Sequence, residues 1–208
     1  QVGDVFALSN GAYGVLYRQT TSGSNYYLDT YDATGARTLS GVNVLPDATN
    51  QVQAADAING VQLSNGNIAL TYFTQVGGVW SSCIKVVDTS GTQQIAQTTV
   101  ATTGTVNYFN SEVIKLNNNS LVTFWNKSDT EIGYRILNAD GTINTANTAK
   151  SISGLVTLSN AVQATAIDQT VASGLHAIAL SSGGFALTWC TAGGSGVYRT
   201  NIAIFDAT

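Results

Sequence analysis

The chain has 208 residues, a formal net charge of −4 and only eight lysines and arginines. So few basic residues leave no basic surface for phosphate groups, and no stretch approaches the roughly 18 consecutive apolar residues of a membrane-spanning helix. We therefore expect no nucleic-acid partner and no membrane insertion. Charged residues make up only 10% of the chain, and Thr, Asn, Ser and Gly replace them, which favours an extracellular or surface-displayed protein.

One phrase recurs four times along the chain. It reads LSNGAYGVLY from Leu8, LSNGNIALTY from Leu63, LNNNSLVTFW from Leu116 and LSSGGFALTW from Leu180. Each copy is followed by a second phrase, in turn YLDTYDATG, CIKVVDTSG, GYRILNADG and NIAIFDAT. The same pair in the same order four times indicates a repeat protein. We divide a single repeat domain, 1–208, into approximate units 1–45, 46–100, 101–152 and 153–208.

Each unit predicts short strands separated by turns. Segments such as IALTY, LVTFW and ALTWC are rich in β-branched and aromatic residues, and turn residues bound them. Asn-Gly and Gly-Gly pairs suit tight hairpins, and DATG, DTSG and NADG suit type I turns whose last glycine is left-handed. The unit therefore runs strand, hairpin turn, strand, variable loop, strand, DxxG turn and a further strand. Only 160–173 offers a turn or two of helix.

Four antiparallel units of about fifty residues predict an all-β fold, a β-propeller whose blades stack around an axis. The phrases resemble the "LxNGGxxVxW … DxxG" repeats of large bacterial extracellular and surface proteins. This resemblance implies propeller-like blades, and it supplies no catalytic residues that could be assigned to this chain. The fourth unit stops at Asp206, Ala207 and Thr208, before its expected glycine and outer strand. We expect a continuing chain, a three-stranded last blade, or a partner chain or segment that completes it.

One aromatic residue recurs at the same place in every unit: Tyr17, Tyr72, Trp125 and Trp189. These rings are either sugar-stacking platforms or core. Strand alternation decides for core, because each ring shares its face with apolar residues such as Leu70 beside Tyr72.

The loops between second and third strands are the better ligand site, because loops carry function while strands form the scaffold. Trp80 and Tyr198 stand at equivalent positions beside them. Nearby polar residues complete a predicted glycan-binding set: Arg18, Lys127, Asp129 and Arg199. Trp80 and Tyr198 also keep register with apolar strand positions, so an alternative role is to cap the core.

The chain offers few catalytic or metal-binding candidates. His176 is the only histidine, Glu112 and Glu131 are the only glutamates, and no pattern pairs either glutamate with an aspartate as glycosidases require. No serine-hydrolase elbow or metal-ligand spacing occurs. The aspartates of the DxxG turns are expected to bond their own backbone rather than calcium. We therefore expect no enzyme, no metal and no cofactor.

Two functions remain open at this point. The first is a non-enzymatic extracellular recognition or adhesion module that binds glycans through its inter-strand loops, in a lectin-like way that gains from repetition. The second is a structural spacer or assembly domain of a surface fibre, adhesin or phage appendage without a small ligand.

Overall fold

The computed structural model describes residues 2–19, 25–45, 58–76, 79–103, 110–128, 131–152, 175–192 and 198–206. Over these ranges the chain forms fifteen β-strands and one short 3-10 turn at Ser9–Gly11. The prediction of an all-β fold is confirmed. The described part of the chain holds no helix that is both long and apolar enough to cross a membrane.

The strands form four antiparallel sheets, which follow one another along the chain and are called blades 1 to 4. Blade 1 contains β1 (Val2–Ala7), β2 (Tyr13–Gln19), β3 (Asn25–Tyr31) and β4 (Arg37–Leu45). Blade 2 contains β5 (Ile58–Gln62), β6 (Ile68–Val76), β7 (Val79–Val87) and β8 (Gln93–Thr102). Blade 3 contains β9 (Ser111–Lys115), β10 (Leu121–Ser128), β11 (Glu131–Leu137) and β12 (Lys150–Ile152). Blade 4, in the described residues, contains β13 (His176–Ala179), β14 (Phe185–Ala192) and β15 (Tyr198–Phe205).

The repeated turns have the geometry that their residues predict. The glycines that close the DxxG turns, Gly35, Gly91 and Gly141, have φ angles of 84°, 82° and 88°. In the second of these turns, Asp88 Oδ1 accepts hydrogen bonds from the backbone N–H groups of Ser90 (2.8 Å) and Thr92 (3.0 Å). The left-handed glycine and the aspartate together reverse the chain between the third and fourth strands.

The blades bury their apolar faces against one another. The core between blades 2 and 3 is an example, in which Ile84 and Val86 of blade 2 pack with Leu121 and Trp125 of blade 3. Separate clusters join blade 1 to blade 2 and blade 3 to blade 4. Blades 2 and 3 thus bury both faces against neighbours, as stacked repeats do.

The first strand of every blade borders a common axis. A cavity of about 600 Å³ is lined by residues of all four first strands or the turns that follow them, among them Ala7, Gln62, Lys115 and Ile178. Four blades whose innermost strands surround one cavity make a propeller-like arrangement, and this prediction is confirmed.

Three of the four repeated aromatic residues belong to the core, as predicted, and Tyr17 does not. Tyr72, Trp125 and Trp189 are 2%, 1% and 8% exposed and lie in the three clusters between blades. Tyr17, on the outer face of blade 1, is only half-buried and stacks on Tyr27 with the ring centres 5.7 Å apart. The difference follows from position, because the face of blade 1 that carries Tyr17 has no described blade against it.

Candidate active site at the propeller axis

Four polar residues occupy the same repeat position, each four residues before the repeated leucine of its blade: Asp4, Asn59, Glu112 and His176. They lie on β1, β5, β9 and β13, the strands that border the axis. Identical register in four blades brings one side chain from each blade to the same end of the axis. This end is a candidate functional site.

Three of these side chains, Asp4, Asn59 and Glu112, reach the first strand of the following blade. Asp4 Oδ2 accepts a hydrogen bond from the backbone N–H of Gly60 at 2.9 Å, and Asn59 donates its side-chain amide to the carbonyl of Ser111. Glu112 Oε2 lies 3.7 Å from Nδ1 of His176. The contacts hold neighbouring first strands together at this end of the axis.

Burial and charge set the protonation of this cluster. Glu112 is 17% exposed, and its burial raises the pKa of the carboxyl, with a smaller upward contribution from the Asp4 charge. Burial also raises the pKa of Asp4, against the opposing hydrogen bond from Gly60. The Glu112 carboxylate 3.7 Å away raises the pKa of His176, whose side chain is 67% exposed. Asp4 and Glu112 therefore interact electrostatically although they lie 108 positions apart in the sequence, as 112 − 4 shows.

Two interacting carboxyl groups in different surroundings can divide the roles of acid and base. A carboxyl held protonated by burial can donate a proton, while a hydrogen-bonded, more exposed carboxylate can accept one. Among the described residues, no group of three His, Cys, Asp or Glu side chains is placed to hold a metal ion.

At the opposite end of the axis, the side-chain contacts connect neighbouring blades. Equivalent hairpin turns of neighbouring blades are tied there by hydrogen bonds, from Ser9 N to Gln62 Oε1 (2.6 Å) and from Ser64 Oγ to Asn119 Oδ1 (2.6 Å). The axial cavity opens among these turns. Its described lining contains no carboxylate, whereas Asp4 and Glu112 lie toward the other end of the first strands.

The residues predicted to bind a ligand are not brought together by the described structure. Trp80 is half-buried and packs against the core between blades 2 and 3, which fits its alternative role as a cap. Lys127 Nζ lies 2.8 Å from Glu131 Oε2 of its own blade and donates to Ser151 Oγ. Arg18 lies on β2 opposite Tyr26.

The side chains of the remaining predicted residues are outside the described part of the structure. The backbone of Tyr198 and Arg199 belongs to β15, but their side chains lie outside the described part of the chain. Asp129 lies outside it too, as do the inter-strand loops 20–24, 77–78 and 193–197. A glycan site in these loops stays a prediction.

The turn aspartates bond their own turns, as expected. Asp32 Oδ1 accepts from the N–H groups of Thr34 (2.8 Å) and Ala36 (3.0 Å), and Asp140 Oδ1 accepts from that of Thr142 (2.9 Å). These bonds hold the pKa of both carboxyls below the usual range. Asp29 differs, because it is buried and pairs with Arg37 at 2.6 Å.

No protein-family model and no curated protein sequence matches the chain. Solved structures do. The α-L-arabinofuranosidase of Podospora anserina, solved with cellotriose, aligns with a TM-score of 0.59 at 13% identity, over 99% of this chain and 64% of that chain. An endo-1,4-β-xylanase of Bacteroides thetaiotaomicron aligns with a TM-score of 0.54 at 14% identity, over 98% of this chain and 68% of that chain.

A third solved structure aligns with the chain in a similar way. The catalytic domain of the GH62 α-L-arabinofuranosidase of Coprinopsis cinerea aligns with a TM-score of 0.53 at 12% identity, over 97% of this chain and 63% of that chain. At such identities the likeness shows the fold. The chain spans between 63% and 68% of the length of these three structures.

The comparison corrects the functional prediction. A non-enzymatic recognition or adhesion module, and its alternative of a structural spacer, are both wrong, because the solved structures that share the fold are glycoside-cleaving enzymes. The expectation of no enzyme depended on finding no glutamate paired with an aspartate. The structure brings Glu112 and Asp4 to one end of the axis from different blades, and sequence reasoning missed this pair. Aligning the residue four before each repeated leucine would have found it.

Proposed function

We propose that this chain is a glycoside hydrolase whose catalytic carboxyl groups are Glu112 and Asp4. The observation that carries the proposal is the convergence of these two side chains on the propeller axis from the first strands of blades 3 and 1. Glycoside hydrolysis requires a pair of carboxyl groups on either side of the glycosidic bond. The enzymes that share the fold act on glycosides, which supports this choice of chemistry.

Glu112 is the general acid in this proposal. It is the more buried of the two, and burial together with the nearby Asp4 charge raises the pKa of its carboxyl. A carboxyl whose pKa is raised can protonate the oxygen of the departing sugar as the bond to the anomeric carbon breaks. His176, next to Glu112, then stabilises the carboxylate that this proton transfer leaves.

Asp4 is the second carboxylate. The N–H of Gly60 binds its Oδ2 and fixes the side chain, while the second oxygen takes no part in that bond. In the ionised state Asp4 activates or replaces the water that attacks the anomeric carbon. The anomer of the first product, read by NMR, distinguishes these two routes.

The substrate class follows from the enzymes that share the fold. Those named above act on arabinofuranosides and xylans, so we propose a glycan that contains arabinose or xylose. Such polysaccharides are too large to cross a membrane, so the proposal includes an extracellular location for the reaction. The low content of charged residues agrees with that location.

A substrate panel tests the proposal. The 208-residue chain is incubated with arabinoxylan, xylan and aryl glycosides of arabinofuranose and xylose, and released reducing sugar or phenol is measured. We expect one substrate class to be hydrolysed, and Glu112→Gln and Asp4→Asn each to lower the rate by about 10² to 10⁴-fold. Glu131→Gln is the matched control, because Glu131 pairs with Lys127 in its own blade. No turnover by the parent, or equal loss in the control, contradicts the proposal.

A further inference from the structure

The axial cavity is lined by the four residues that directly precede the repeated leucines: Ala7, Gln62, Lys115 and Ala179. The cavity has a volume of about 600 Å³ and opens among the hairpin turns, at the end of the axis opposite to the candidate active site. The small alanines of blades 1 and 4 leave space that the long side chains of blades 2 and 3 do not fill. A cavity of this volume is large enough for a small organic molecule.

Gln62 shows how this repeat position is used for structure. Its Oε1 accepts a hydrogen bond from the backbone N–H of Ser9, in the turn that follows β1, at 2.6 Å. Its Nε2 donates to the carbonyl of Gly66 in its own blade at 3.1 Å. Both ends of the amide are therefore engaged within the protein, and the turn of blade 1 is tied to blade 2.

Lys115 holds the same repeat position in blade 3 but cannot make the same bond. The repeat register makes Ser64, in the turn that follows β5, its counterpart of Ser9, and both Lys115 and Ser64 line the cavity. A lysine ammonium only donates, so it cannot accept the N–H of Ser64. Within the described part of the chain, Lys115 has no hydrogen bond or ion pair, and the Ser64 N–H has no acceptor. Two donors, one of them charged, therefore border the cavity without an acceptor.

The rest of the lining selects the kind of anion that would satisfy these donors. None of the described lining residues is acidic, so Lys115 has no counter-ion among them. Much of the lining is apolar and includes Val61, Val113, Ile114 and Ile178. A carboxylate accepts strong, charge-assisted hydrogen bonds from an ammonium and an N–H group, while apolar walls contact the body of a ligand. The two features together fit a molecule with one carboxylate on an apolar body.

We propose that the axial cavity binds a small organic carboxylate, whose charged group is held by Lys115 and the N–H of Ser64. A metal cation is a poor fit, because the lysine repels it and the described lining offers no carboxylate. An inorganic anion would leave the apolar walls in contact with water. This inference is independent of the proposed enzymatic function, since the cavity opens at the end of the axis away from Asp4 and Glu112.

Titration calorimetry with benzoate, and with uncharged benzamide of nearly the same shape, tests the proposal. The parent should bind benzoate with a Kd of about 1 mM or tighter and benzamide at least about tenfold more weakly. Lys115→Gln should weaken benzoate binding by about ten- to a hundred-fold. It should not lower the midpoint of thermal unfolding, because glutamine accepts the equivalent N–H in blade 2. Lys150→Gln removes the same charge from an exposed position on β12 and is the matched control, with an unchanged Kd.

Each other result overturns the proposal. Absence of saturable benzoate binding, or equal binding of benzamide, means that the cavity does not select a carboxylate. An equal loss in Lys150→Gln means that net charge and not this lysine is responsible. Displacement of benzoate by inorganic phosphate at equal concentration would assign the cavity to an inorganic anion. Lys115→Arg, which keeps the charge, should retain binding, so a loss in this folded variant as large as in Lys115→Gln would also contradict the proposal.

Discussion

Replacing Trp125 by alanine should destabilise the protein more than any change at the equivalent position of blade 1. Trp125 is 1% exposed and packs between blades 2 and 3. A buried aromatic side chain removes about 150–250 Å² from water, and at roughly 25 cal/mol per Å² this corresponds to about 4–6 kcal/mol. Area measured against an extended chain overestimates burial, so we expect Trp125→Ala to cost about 3–5 kcal/mol.

Tyr17→Ala is the matched comparison. Tyr17 holds the same repeat position on the open face of blade 1, is half-buried, and loses mainly its stacking on Tyr27. Its replacement should cost about 1–2 kcal/mol. Trp125→Phe should cost less than Trp125→Ala, because the phenyl ring keeps most of the packing and removes a buried indole N–H that has no hydrogen-bond partner.

The assay is urea unfolding followed by circular dichroism, with the midpoint and slope fitted for each variant. Repeat proteins can unfold in steps, so coincidence of the tryptophan fluorescence and circular dichroism transitions is the control. A cost of Trp125→Ala no greater than that of Tyr17→Ala would refute the account of blades that cover one another in order.

Three further predictions concern single residues. Gly133→Ala should lower the unfolding midpoint, since its Cβ would overlap the indole of Trp125; an unchanged midpoint would contradict this packing. His176→Gln should destabilise the protein near pH 6, where His176 is protonated opposite Glu112, but have little effect near pH 9. The reason is that the raised pKa of His176 stabilises the fold fully below about pH 6.5. This stabilisation is lost as the pH rises through the pKa of the folded state. Asp88→Ala should lower the midpoint at neutral pH and cost progressively less as the pH falls below the usual aspartate range. Hydrogen bonds lower the pKa of this carboxyl, so its stabilisation is lost as the pH falls through the lowered pKa. Melts of parent and variant across pH check both the histidine and the aspartate predictions.

Much of the fold could be predicted because short local sequence signals specify each blade and recur in all four repeats. The hairpin turns need Asn and Gly at φ > 0, and the DxxG turns need an aspartate whose side chain accepts nearby N–H groups. The aromatic at the position of Trp125 alternates with apolar neighbours, so its burial could be read from the strand period.

The candidate site was not predictable in the same way. Asp4 and Glu112 belong to different blades, and only the closure of the blades around an axis makes them neighbours. A search for catalytic residues close together in sequence cannot detect such a pair, because a propeller collects one residue from each repeat. The fold comparison, at identities of 12–14%, supports the choice of chemistry that is proposed above.

The central claim is that Glu112 protonates the departing sugar at the propeller axis. The most direct test is the rate of Glu112→Gln with two aryl glycosides of the preferred sugar, one with a poor leaving group (4-methoxyphenol) and one with a good one (2,4-dinitrophenol). The account predicts a loss of about 10² to 10⁴-fold for the poor leaving group and little loss for the good one, which departs without a proton. Equal losses for both, or no loss for either, would contradict it.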